Sequence, residues 1–301
     1  MKKNFKSGFC AIIGMPNVGK STLLNAVAGQ KIAIVSDKPQ TTRNKILAVY
    51  QAEDKQIMFT DTPGIHNPHN KLGEYMVRAA NESMRDTDVI LFVVDASKGI
   101  RDKEREIAEN IGKVGIPCIL VINKVDLVKK EDILPMIADF SSMNDFEAII
   151  PISAKEQDGV DRLIDSITDY IEEGPMFYDE DTVTDQPEKA IAAEIIREKM
   201  LWLLDKEIPH GIAIEITRMK QKGKVTELHA TIFCEKKSHK GIIIGKNGEM
   251  LKKIGTMARA DIEKMLDRKV YLELWVKIKN DWRNSDFLIK NFGYKDDDDL
   301  N

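Results

Sequence analysis

The sequence predicts an α/β domain, with a mostly parallel sheet and flanking helices, followed by a smaller α+β domain. Two apolar runs, Asp88–Asp95 and Pro117–Asn123, have the continuous hydrophobic character of strands that are buried on both faces of a parallel sheet. A third run, Phe9–Ile13, leads through a glycine-containing loop into a helix that begins near Ser21. A length of 301 residues is typical of two domains.

The loop after the first strand is a phosphate-binding motif. Residues 14–21 read Gly-Met-Pro-Asn-Val-Gly-Lys-Ser and fit the pattern G-x-x-x-x-G-K-[ST]. A strand that feeds such a loop into a helix aims backbone N–H groups and the positive end of the helix dipole at an anion. Lys20 would reach the β- and γ-phosphates, and the Ser21 hydroxyl would bind Mg²⁺. The motif predicts a nucleoside triphosphate site formed by Gly14, Met15, Pro16, Asn17, Val18, Gly19, Lys20, Ser21 and Thr22.

Two short motifs indicate which base is bound. Residues 123–126 fit N-K-x-D at the end of the second apolar run. The Asp126 carboxylate can accept from both N1–H and the 2-amino group of guanine, whereas adenine presents an acceptor there, and such pairing discriminates by about 10⁴–10⁵. A Ser-Ala-Lys triplet follows the apolar run 148–152 and can offer a backbone N–H to guanine O6. The predicted guanine-binding residues are Asn123, Lys124, Val125, Asp126, Ser153, Ala154 and Lys155.

Side chains for Mg²⁺ and the γ-phosphate are predicted nearer the N-terminus. Asp61 follows the strand-like run 56–60, where a carboxylate can hold Mg²⁺ through water. A polar stretch, 38–44, follows a strand-like Ile32–Val35. Within it we prefer Thr42 as the threonine that ligates Mg²⁺ only when the γ-phosphate is present. Thr41 stays an alternative, and either hydroxyl could simply cap a turn.

These assignments complete the predicted nucleotide site. The predicted Mg²⁺ ligands are Ser21, Thr42 and Asp61. The predicted catalytic groups are Lys20, Thr42 and Gly64, the last through its N–H to the γ-phosphate. Further predicted nucleotide contacts are Thr62, Pro63, Gly64 and Ile65.

A second loop with a clear chemistry lies in the C-terminal third. Residues 245–248, Gly-Lys-Asn-Gly, form a G-x-x-G loop before a predicted helix over 250–266. Glycines let a backbone approach phosphates closely, so such a loop can clamp single-stranded nucleic acid; alone, G-x-x-G is as often a plain helix-start turn. The other predicted elements are a helix at 190–206, strands at 212–218, 225–235 and 270–279, and a helix near 281–291. The predicted RNA-binding residues are Lys240, Gly241, Gly245, Lys246, Asn247, Gly248 and Lys252.

The distribution of charge supports a polyanion ligand for the second domain. From Glu188 to Lys290 there are 22 Lys and Arg against 15 Asp and Glu, a net charge of +7, whereas the whole chain carries −4. Such an asymmetry could be a solvated face, but basic residues bracket the G-x-x-G loop, which favours a phosphate track. They are Lys236, Lys237, Lys240, Lys246, Lys252 and Lys253.

The motifs together resemble one bacterial family. Their order is that of translation-factor-like GTPases, and the forms GMPNVGKS and QTTR resemble the Era GTPases, as do 193–210 and 279–283. The resemblance covers nearly the whole chain. It implies a P-loop GTPase domain over 1–172 and a type II KH domain, an RNA-binding α+β fold, over 188–293. An acidic linker, 173–187, and an acidic tail, 294–301, complete this division.

The resemblance also implies an activity and partners. We expect a GTP-hydrolysing switch, with Mg²⁺ and GTP or GDP, that binds the 3′ end of small-subunit rRNA and acts in small ribosomal subunit assembly and rRNA maturation. Ras-like enzymes have a water-orienting glutamine where this chain has Ile65, so hydrolysis should be slow unless RNA, an ordered switch or a cation assists. K⁺ held by Asn17 is one candidate; the other interpretation is that Asn17 merely tolerates a demanding backbone.

The remaining features concern location and alternatives. Three widely spaced cysteines suit a reducing cytosol, and no apolar run reaches transmembrane length. His66 and His69 are expected to be solvated rather than metal ligands. We expect a cytoplasmic monomer that could associate peripherally with the inner face of the cell membrane. Alternatives are a membrane-associated signalling GTPase whose basic domain binds anionic lipid, and a passive RNA-binding scaffold, which the intact triphosphate motifs oppose.

Overall fold

The computed structural model describes residues 5–64, 68, 70–83 and 87–294. The chain divides into two compact units. Within the described residues, the first unit holds the chain up to Ala33, from Thr42 to Gly64 and from Met76 to Asp185, and the second holds Ile34–Thr41, Pro68–Tyr75 and the chain from Gln186 onward. Several residues named above lie outside the described part of the chain: Ile65, His66, His69 and the tail beyond Tyr294.

The first unit is built on a six-stranded sheet. Its strands are β1 (Lys6–Ile13), β2 (Ile46–Gln51), β3 (Lys55–Asp61), β4 (Val89–Asp95), β5 (Cys118–Asn123) and β6 (Ala148–Pro151). The spatial order is β2-β3-β1-β4-β5-β6, and every neighbouring pair is parallel except β2 and β3. The chain's helices between these strands and after them are α1 (Lys20–Ala28), α2 (Lys71–Glu82), α3 (Asp102–Ile111), α4 (Lys130–Ser141) and α5 (Val160–Thr168). The predicted mostly parallel α/β fold is confirmed.

Apolar side chains cover both faces of this sheet. Every residue of β4 is buried, and its alternate side chains enter two clusters on opposite faces. Leu91 belongs to the cluster that includes α1 and α5, whereas Phe92 belongs to the cluster that includes α3 and α4. Because the parallel strands β1, β3, β4, β5 and β6 end at the same edge, the motifs that follow them converge there.

Two features near the N-terminal motif differ from the prediction. The run Ile32–Val35 is not a strand. The Asn25 side chain accepts from the N–H groups of Ile32 and Ala33 at 2.9 Å and donates to the Ala33 carbonyl at 2.8 Å, so it occupies backbone groups that a sheet neighbour would pair. The strand of this region is β2, which the sequence analysis did not identify and which pairs antiparallel with β3.

The stretch predicted as a linker, 173–187, is mostly part of the first unit. Val49 N–H donates to the Val183 carbonyl at 2.8 Å, and the Gln56 side chain binds the backbone of Phe177 and Tyr178. These contacts satisfy backbone groups of the stretch through the edge strands β2 and β3. The division between the two units therefore lies between Asp185 and Gln186.

The second unit follows an α-β-β-α-α-β order. Its elements are α6 (Glu188–Leu203), β7 (Ala213–Lys222), β8 (Val225–Cys234), α7 (Lys237–Ile244), α8 (Glu249–Leu266), β9 (Lys269–Ile278) and a final short helix α9 (Asp286–Asn291). The sheet order is β7-β8-β9, with β7 and β8 antiparallel and β8 and β9 parallel. Inward residues of the strands pack with α6 and α8 into one apolar cluster. This order confirms the predicted α+β domain.

Within the second unit, α6 buries charged residues as well as apolar ones. Arg197 donates to the carbonyls of Gln40 and Thr41, and Glu198 accepts from the Val35 N–H at 3.0 Å. Lys199 pairs with Glu198 and with a carboxylate of α8. Side chains of α6 thus hold the segment Ile34–Thr41 through hydrogen bonds to its backbone. Among helices of the described residues, none is both long and apolar enough to span a membrane.

Candidate functional site

The loop between β1 and α1 has a backbone that requires glycine at two positions. Gly14 has φ +148°, and a Cβ there would lie 2.3 Å from the Val93 carbonyl oxygen. Gly19 has φ +102°, and a Cβ there would lie 2.1 Å from Asn123 Nδ2. Asn17 lies in the left-handed region at φ 65°, which asparagine tolerates better than most residues. The loop therefore keeps its backbone close to its neighbours, as a phosphate cradle requires.

Lys20, the first residue of α1, points back over this loop. Its Nζ donates to the carbonyls of Gly14 and Met15 at 3.1 and 3.0 Å, and the side chain is buried. Burial lowers the pKa of Lys20, and the nearby Asp61 carboxylate opposes that shift. An ammonium group that is bound to neutral carbonyls gains electrostatic energy when it turns to a phosphate anion.

Three side-chain oxygens meet beside Lys20. Ser21 Oγ donates to Asp61 Oδ2 at 2.6 Å and lies 2.8 Å from Thr42 Oγ1, which donates to the same carboxylate oxygen at 3.2 Å. The other oxygen, Asp61 Oδ1, is buried without a hydrogen-bond partner. Burial raises the pKa of Asp61, while Lys20 and the two hydroxyls oppose the shift. An all-oxygen set with one unsatisfied carboxylate oxygen fits Mg²⁺.

The neighbouring threonine has a different environment. Thr41 Oγ1 donates to the Lys38 carbonyl at 2.6 Å, which is a turn-capping contact. Thr42, one residue later, is the threonine that meets Ser21 and Asp61. The geometry therefore separates two residues between which the sequence left the choice open.

The residues after Asp61 pack against the strands and the phosphate loop. Thr62 is buried and donates to the Ile12 carbonyl at 3.0 Å. A Cβ on Gly64 would lie 2.8 Å from Pro16 Cγ, so the lack of a side chain lets the Gly64 backbone lie against the loop. This close approach is compatible with an N–H that points at a γ-phosphate.

Asn123 joins three segments of the site. Its Nδ2 donates to the Val18 carbonyl at 2.9 Å, and its Oδ1 accepts from the Ala154 N–H at 3.0 Å. The expected donor to guanine O6 is thus already bound to Asn123, and it can serve O6 only as a shared donor. Asp126 accepts from Ser153 Oγ at 2.7 Å, which fixes the carboxylate that would read guanine. Lys155 is exposed beside Glu156, and Val125 N–H donates to the Ile152 carbonyl.

One residue of the site was missed by sequence reasoning. Asp95, the last residue of β4, accepts from Lys124 Nζ at 2.6 Å, and the same Nζ donates to the Asn17 carbonyl at 2.7 Å. Burial would raise the pKa of Asp95, but hydrogen bonds from Lys124 and Ser97 outweigh it and lower the pKa. Asp95 therefore holds Lys124 against the phosphate loop. The feature of the sequence that could have identified Asp95 is its position at the carboxyl end of a buried strand.

The second unit presents the G-x-x-G loop between α7 and α8. Gly245, Asn247 and Gly248 all have positive φ, at 75°, 52° and 81°. A Cβ on Gly245 would lie 2.7 Å from Met250 Cβ, whereas Gly248 faces open space. Lys246 is exposed at the loop, Lys240 and Gly241 lie on α7 just before it, and Lys252 lies in the first turn of α8. The backbone turn and these cations form one accessible phosphate-binding edge.

A groove of about 370 Å³ runs from this loop between α8 and β9. It is lined by Gly248, Leu251, Lys252, Gly255, Thr256, Arg259, Leu272 and Leu274. The leucines are half-buried, while Lys252 and Arg259 are exposed. A Cβ on Gly255 would lie 3.3 Å from Leu274 Cδ1, so the glycine keeps the groove open at its middle. An apolar floor with a basic rim suits a nucleobase whose phosphate lies at the edge.

Other candidate groups form no reactive cluster. Cys10, Cys118 and Cys234 are buried and not disulfide-bonded, and burial raises the pKa of Cys118 to about 12. No group of three His, Cys, Asp or Glu side chains is placed to hold a metal within the described part of the chain. The oxygen cluster of Ser21, Thr42 and Asp61 is not such a group, because two of its three members are hydroxyls.

Family models match both units. The model described as a 50S ribosome-binding GTPase matches residues 9–124, and the KH domain model matches residues 207–283.

Curated relatives match nearly the whole chain. It is 54% identical over 293 residues to the GTPase Era of Ruminiclostridium cellulolyticum, covering 97% of this chain and 98% of that protein. It is 54% identical over 295 residues to the GTPase Era of Clostridioides difficile, covering 97% and 99%.

Two solved structures are also similar over almost the full length. A variant of Aquifex aeolicus Era bound to GDP and AlF4⁻ gives a TM-score of 0.93 at 41% identity, covering 96% of this chain and 99% of that chain. Era in complex with MgGDPNP and nucleotides 1506–1542 of 16S ribosomal RNA gives the same TM-score, identity and coverage.

Proposed function

The chain belongs to the Era family of GTPases, and we propose that it is a GTP-driven switch whose second unit holds the 3′ end of small-subunit rRNA during small-subunit assembly. Its activity is hydrolysis of GTP to GDP and phosphate, and its KH domain binds RNA. The observation that carries the proposal is that one chain has both an oxygen cluster of Ser21, Thr42 and Asp61 beside Lys20 in its first unit and a basic, apolar-floored groove at a G-x-x-G loop in its second.

Each group of the nucleotide site has a proposed task. Lys20 exchanges two carbonyl contacts for the β- and γ-phosphates, so its buried charge is neutralised on binding. Ser21 and Thr42 would bind Mg²⁺ directly, and Asp61 would hold it through water. Mg²⁺ neutralises developing phosphate charge when it is bound. Thr42 is the group that would sense the γ-phosphate, because its hydroxyl and not that of Thr41 faces Asp61.

Guanine specificity is proposed to rest on Asp126. The hydroxyl of Ser153 holds one oxygen of this carboxylate and so fixes its orientation. A positioned carboxylate pairs with N1–H and the 2-amino group of guanine and is left unpaired by adenine. The Ala154 N–H would be shared between Asn123 and guanine O6.

A monovalent cation near Asn17 is a finer part of the proposal. The Asn17 carbonyl accepts from Lys124, and its left-handed backbone already gives one reason for an asparagine at this position. A K⁺ ion would add positive charge close to the transferred phosphoryl group, where an arginine acts in other GTPases. GTP hydrolysis rates measured in K⁺ and in Na⁺ test whether Asn17 helps to hold a cation. Equal rates in the two salts would mean that Asn17 only accommodates the left-handed backbone.

The RNA would lie with a short single-stranded stretch in the groove beside the loop. Lys246 and the loop backbone would contact phosphates, while Leu251, Leu272 and Leu274 would contact bases. The similar Era bound to nucleotides of 16S rRNA supports the small subunit as the partner. The description of the broader GTPase model names the large subunit, but that model covers only the first unit. We propose a cytoplasmic monomer; anionic lipid is the competing ligand for the basic edge.

Measurements of single-stranded RNA binding test whether the G-x-x-G loop contacts the RNA phosphates. The variant Lys246→Asp/Asn247→Asp places negative charge at the tip of a turn, so the fold and GTP binding should persist. Its affinity for an oligonucleotide from the small-subunit rRNA 3′ end should fall, and the salt dependence of binding should flatten because cation–phosphate contacts are lost. Lys113→Asp/Lys130→Asp, on exposed positions of the first unit, is the matched control. Undiminished RNA binding would overturn the assignment, and vesicles of anionic lipid would then be the next ligand to measure.

A further inference from the structure

The outer face of the second unit's sheet carries exposed aromatic side chains that the groove does not use. Strand alternation sends Leu272, Leu274 and Val276 of β9 inward, and Tyr271 and Trp275 outward. Tyr271 is 57% exposed and Trp275 is 58% exposed. An exposed apolar patch that is rimmed by polar residues marks an interaction site more often than a single exposed side chain does.

The surroundings of these aromatics are basic. On the same outer face, β7 contributes Arg218, Lys220 and Lys222, and β9 contributes Lys269 and Lys277. The acidic residues of this face are Glu215, Glu227 and Glu273. Glu227 is paired with Arg218, Lys222 and His229, and Glu273 lies 3.5 Å from His229 Nδ1. The cations outnumber the acids, and two of the acids are held in ion pairs or hydrogen bonds.

We propose that this outer face is a second contact for single-stranded RNA, with bases stacked on Tyr271 and Trp275. The proposal rests on the RNA-binding function proposed above. Residues four apart on a strand lie about 13 Å apart, so the two rings would take bases that are not adjacent in the RNA. Lys220 and Lys277 would follow the phosphates. Glu273, between the rings, can accept from an exocyclic amino group such as that of cytosine.

Strand β9 connects this face with the groove. Its Leu272 and Leu274 line the groove, and the alternate residues Tyr271 and Trp275 lie on the reverse side of the same strand. A KH groove holds about four nucleotides, so a longer strand must leave it. Because β9 is at the end of the sheet order, RNA that passes around it reaches the aromatic face directly. Other sheets with exposed aromatics bind two or three bases in this way.

The proposal predicts a length-dependent effect. Tyr271→Ala/Trp275→Ala should bind an oligonucleotide of about four nucleotides as the wild type does. Its affinity for a strand of about twelve nucleotides should fall on the order of tenfold or more, since base–aromatic stacking is sequence-tolerant and strong. Phe287→Ala removes an exposed aromatic outside the sheet and is the matched control. Lys220→Glu/Lys277→Glu tests the phosphate track without touching the rings.

Fluorescence gives a second readout. The chain has tryptophans at positions 202, 275 and 282, and Trp282 is buried. In Trp202→Phe, quenching by the long strand but not by the short one would report stacking on Trp275. Circular dichroism and GTP hydrolysis should match the wild type in the variants at 220, 271, 275, 277 and 287, because these side chains are exposed. Trp202→Phe loses the hydrogen bond to the Val35 carbonyl, so its fluorescence is compared with that of the same variant without RNA.

The outcomes separate this proposal from the one on which it rests. Unchanged affinity of Tyr271→Ala/Trp275→Ala for the long strand would overturn the aromatic contact. If that variant kept its RNA affinity but lost binding to purified small subunits, the face would be a protein contact and the RNA proposal would be wrong. If the groove does not bind RNA, the result is seen with the short oligonucleotide instead: Lys246→Asp/Asn247→Asp will bind it with wild-type affinity.

Discussion

Asn123 and Val18 are joined by a hydrogen bond of 2.9 Å from the Nδ2 of one to the carbonyl of the other. The opposite end of the same amide accepts from Ala154 at 3.0 Å. A base-recognition residue on β5 therefore fixes the phosphate loop and the loop after β6 at once. Gly19 has no room for a side chain beside this amide. One side chain thus holds the three segments in register for nucleotide binding.

Asn123→Ala should weaken binding of both GTP and GDP. The change removes the partner of the Val18 carbonyl and of the Ala154 N–H. The N–H can still pair with guanine O6, so the main cost is that of the buried Val18 carbonyl, about 1–3 kcal/mol for an unsatisfied group. We expect the nucleotide Kd to rise by about ten- to a hundredfold, with a similar factor for both nucleotides because neither group touches the γ-phosphate. Isothermal titration with GDP and a non-hydrolysable GTP analogue measures this. A loss confined to GTP would contradict the role given to Asn123.

Asp126→Asn should change the preferred base from guanine to xanthine. Xanthine replaces the 2-amino donor of guanine with an oxygen, to which an amide can donate. Competition binding with GTP, XTP and ATP checks the exchange. Ser153→Ala is the companion variant, because it removes the hydroxyl that orients Asp126 and should weaken guanine binding without creating a preference for xanthine. If Asp126→Asn still prefers GTP, the assignment of Asp126 to guanine recognition is wrong.

Thr42→Ala and Thr41→Ala should behave differently although the residues are adjacent. Thr42 contacts Ser21 and Asp61, so its loss should slow Mg²⁺-dependent hydrolysis on the order of tenfold or more. GDP affinity should stay near the wild-type value, since this threonine is needed only with a γ-phosphate. Thr41→Ala removes a turn-capping hydroxyl and should leave single-turnover hydrolysis close to the wild type. If Thr41→Ala slows hydrolysis more than Thr42→Ala does, Thr41 is the threonine that ligates Mg²⁺.

The sequence was informative wherever function depends on local spacing. The phosphate loop, Asp61, Asn123–Asp126 and 153–155 each lie at or just after the end of a strand, and parallel strands bring their ends together. The same spacing could not reveal Asp95, because a lone aspartate after an apolar run has no motif that names its partner. Its role depends on Lys124, which follows a different strand, β5.

Other features depended on contacts between distant segments. Ile32–Val35 has the composition of a strand, but the Asn25 side chain takes up its backbone groups. Helix α6 has a helical sequence pattern, yet the burial of Arg197 is set by the carbonyls of residues 40 and 41, more than a hundred positions away. Periodicity identifies which face of an element is buried, and it does not identify what covers that face.

Asp95→Asn should lower stability at neutral pH and reduce nucleotide affinity, because Lys124 would lose its charged partner. The folded pKa of Asp95 is below its ordinary value. Asp95 therefore contributes fully to the free energy of unfolding above its unfolded pKa of about 3.9. This contribution is lost only as the pH falls through the lower folded pKa. The stability difference from the wild type should be the same at neutral pH and at mildly acidic pH. Urea denaturation at both values measures it, with the exposed Asp102→Asn as control. A difference that fades between neutral and mildly acidic pH would contradict the assignment.

Gly255→Leu should block the RNA groove without affecting the nucleotide site. Gly255 lies in α8 opposite β9, and a Cβ there would already approach Leu274 Cδ1 to 3.3 Å. A leucine would project into the space between α8 and β9 that bases are proposed to occupy, whereas Gly255→Ala adds one methyl group and should cause an intermediate loss. Alanine also favours a helix over glycine by about 1 kcal/mol, so the unfolding midpoint of Gly255→Ala should not fall by much. Electrophoretic shifts with a short single-stranded RNA measure the graded loss, and basal GTP hydrolysis without RNA should equal that of the wild type. RNA affinity that is unchanged in Gly255→Leu would show that bases do not enter this groove.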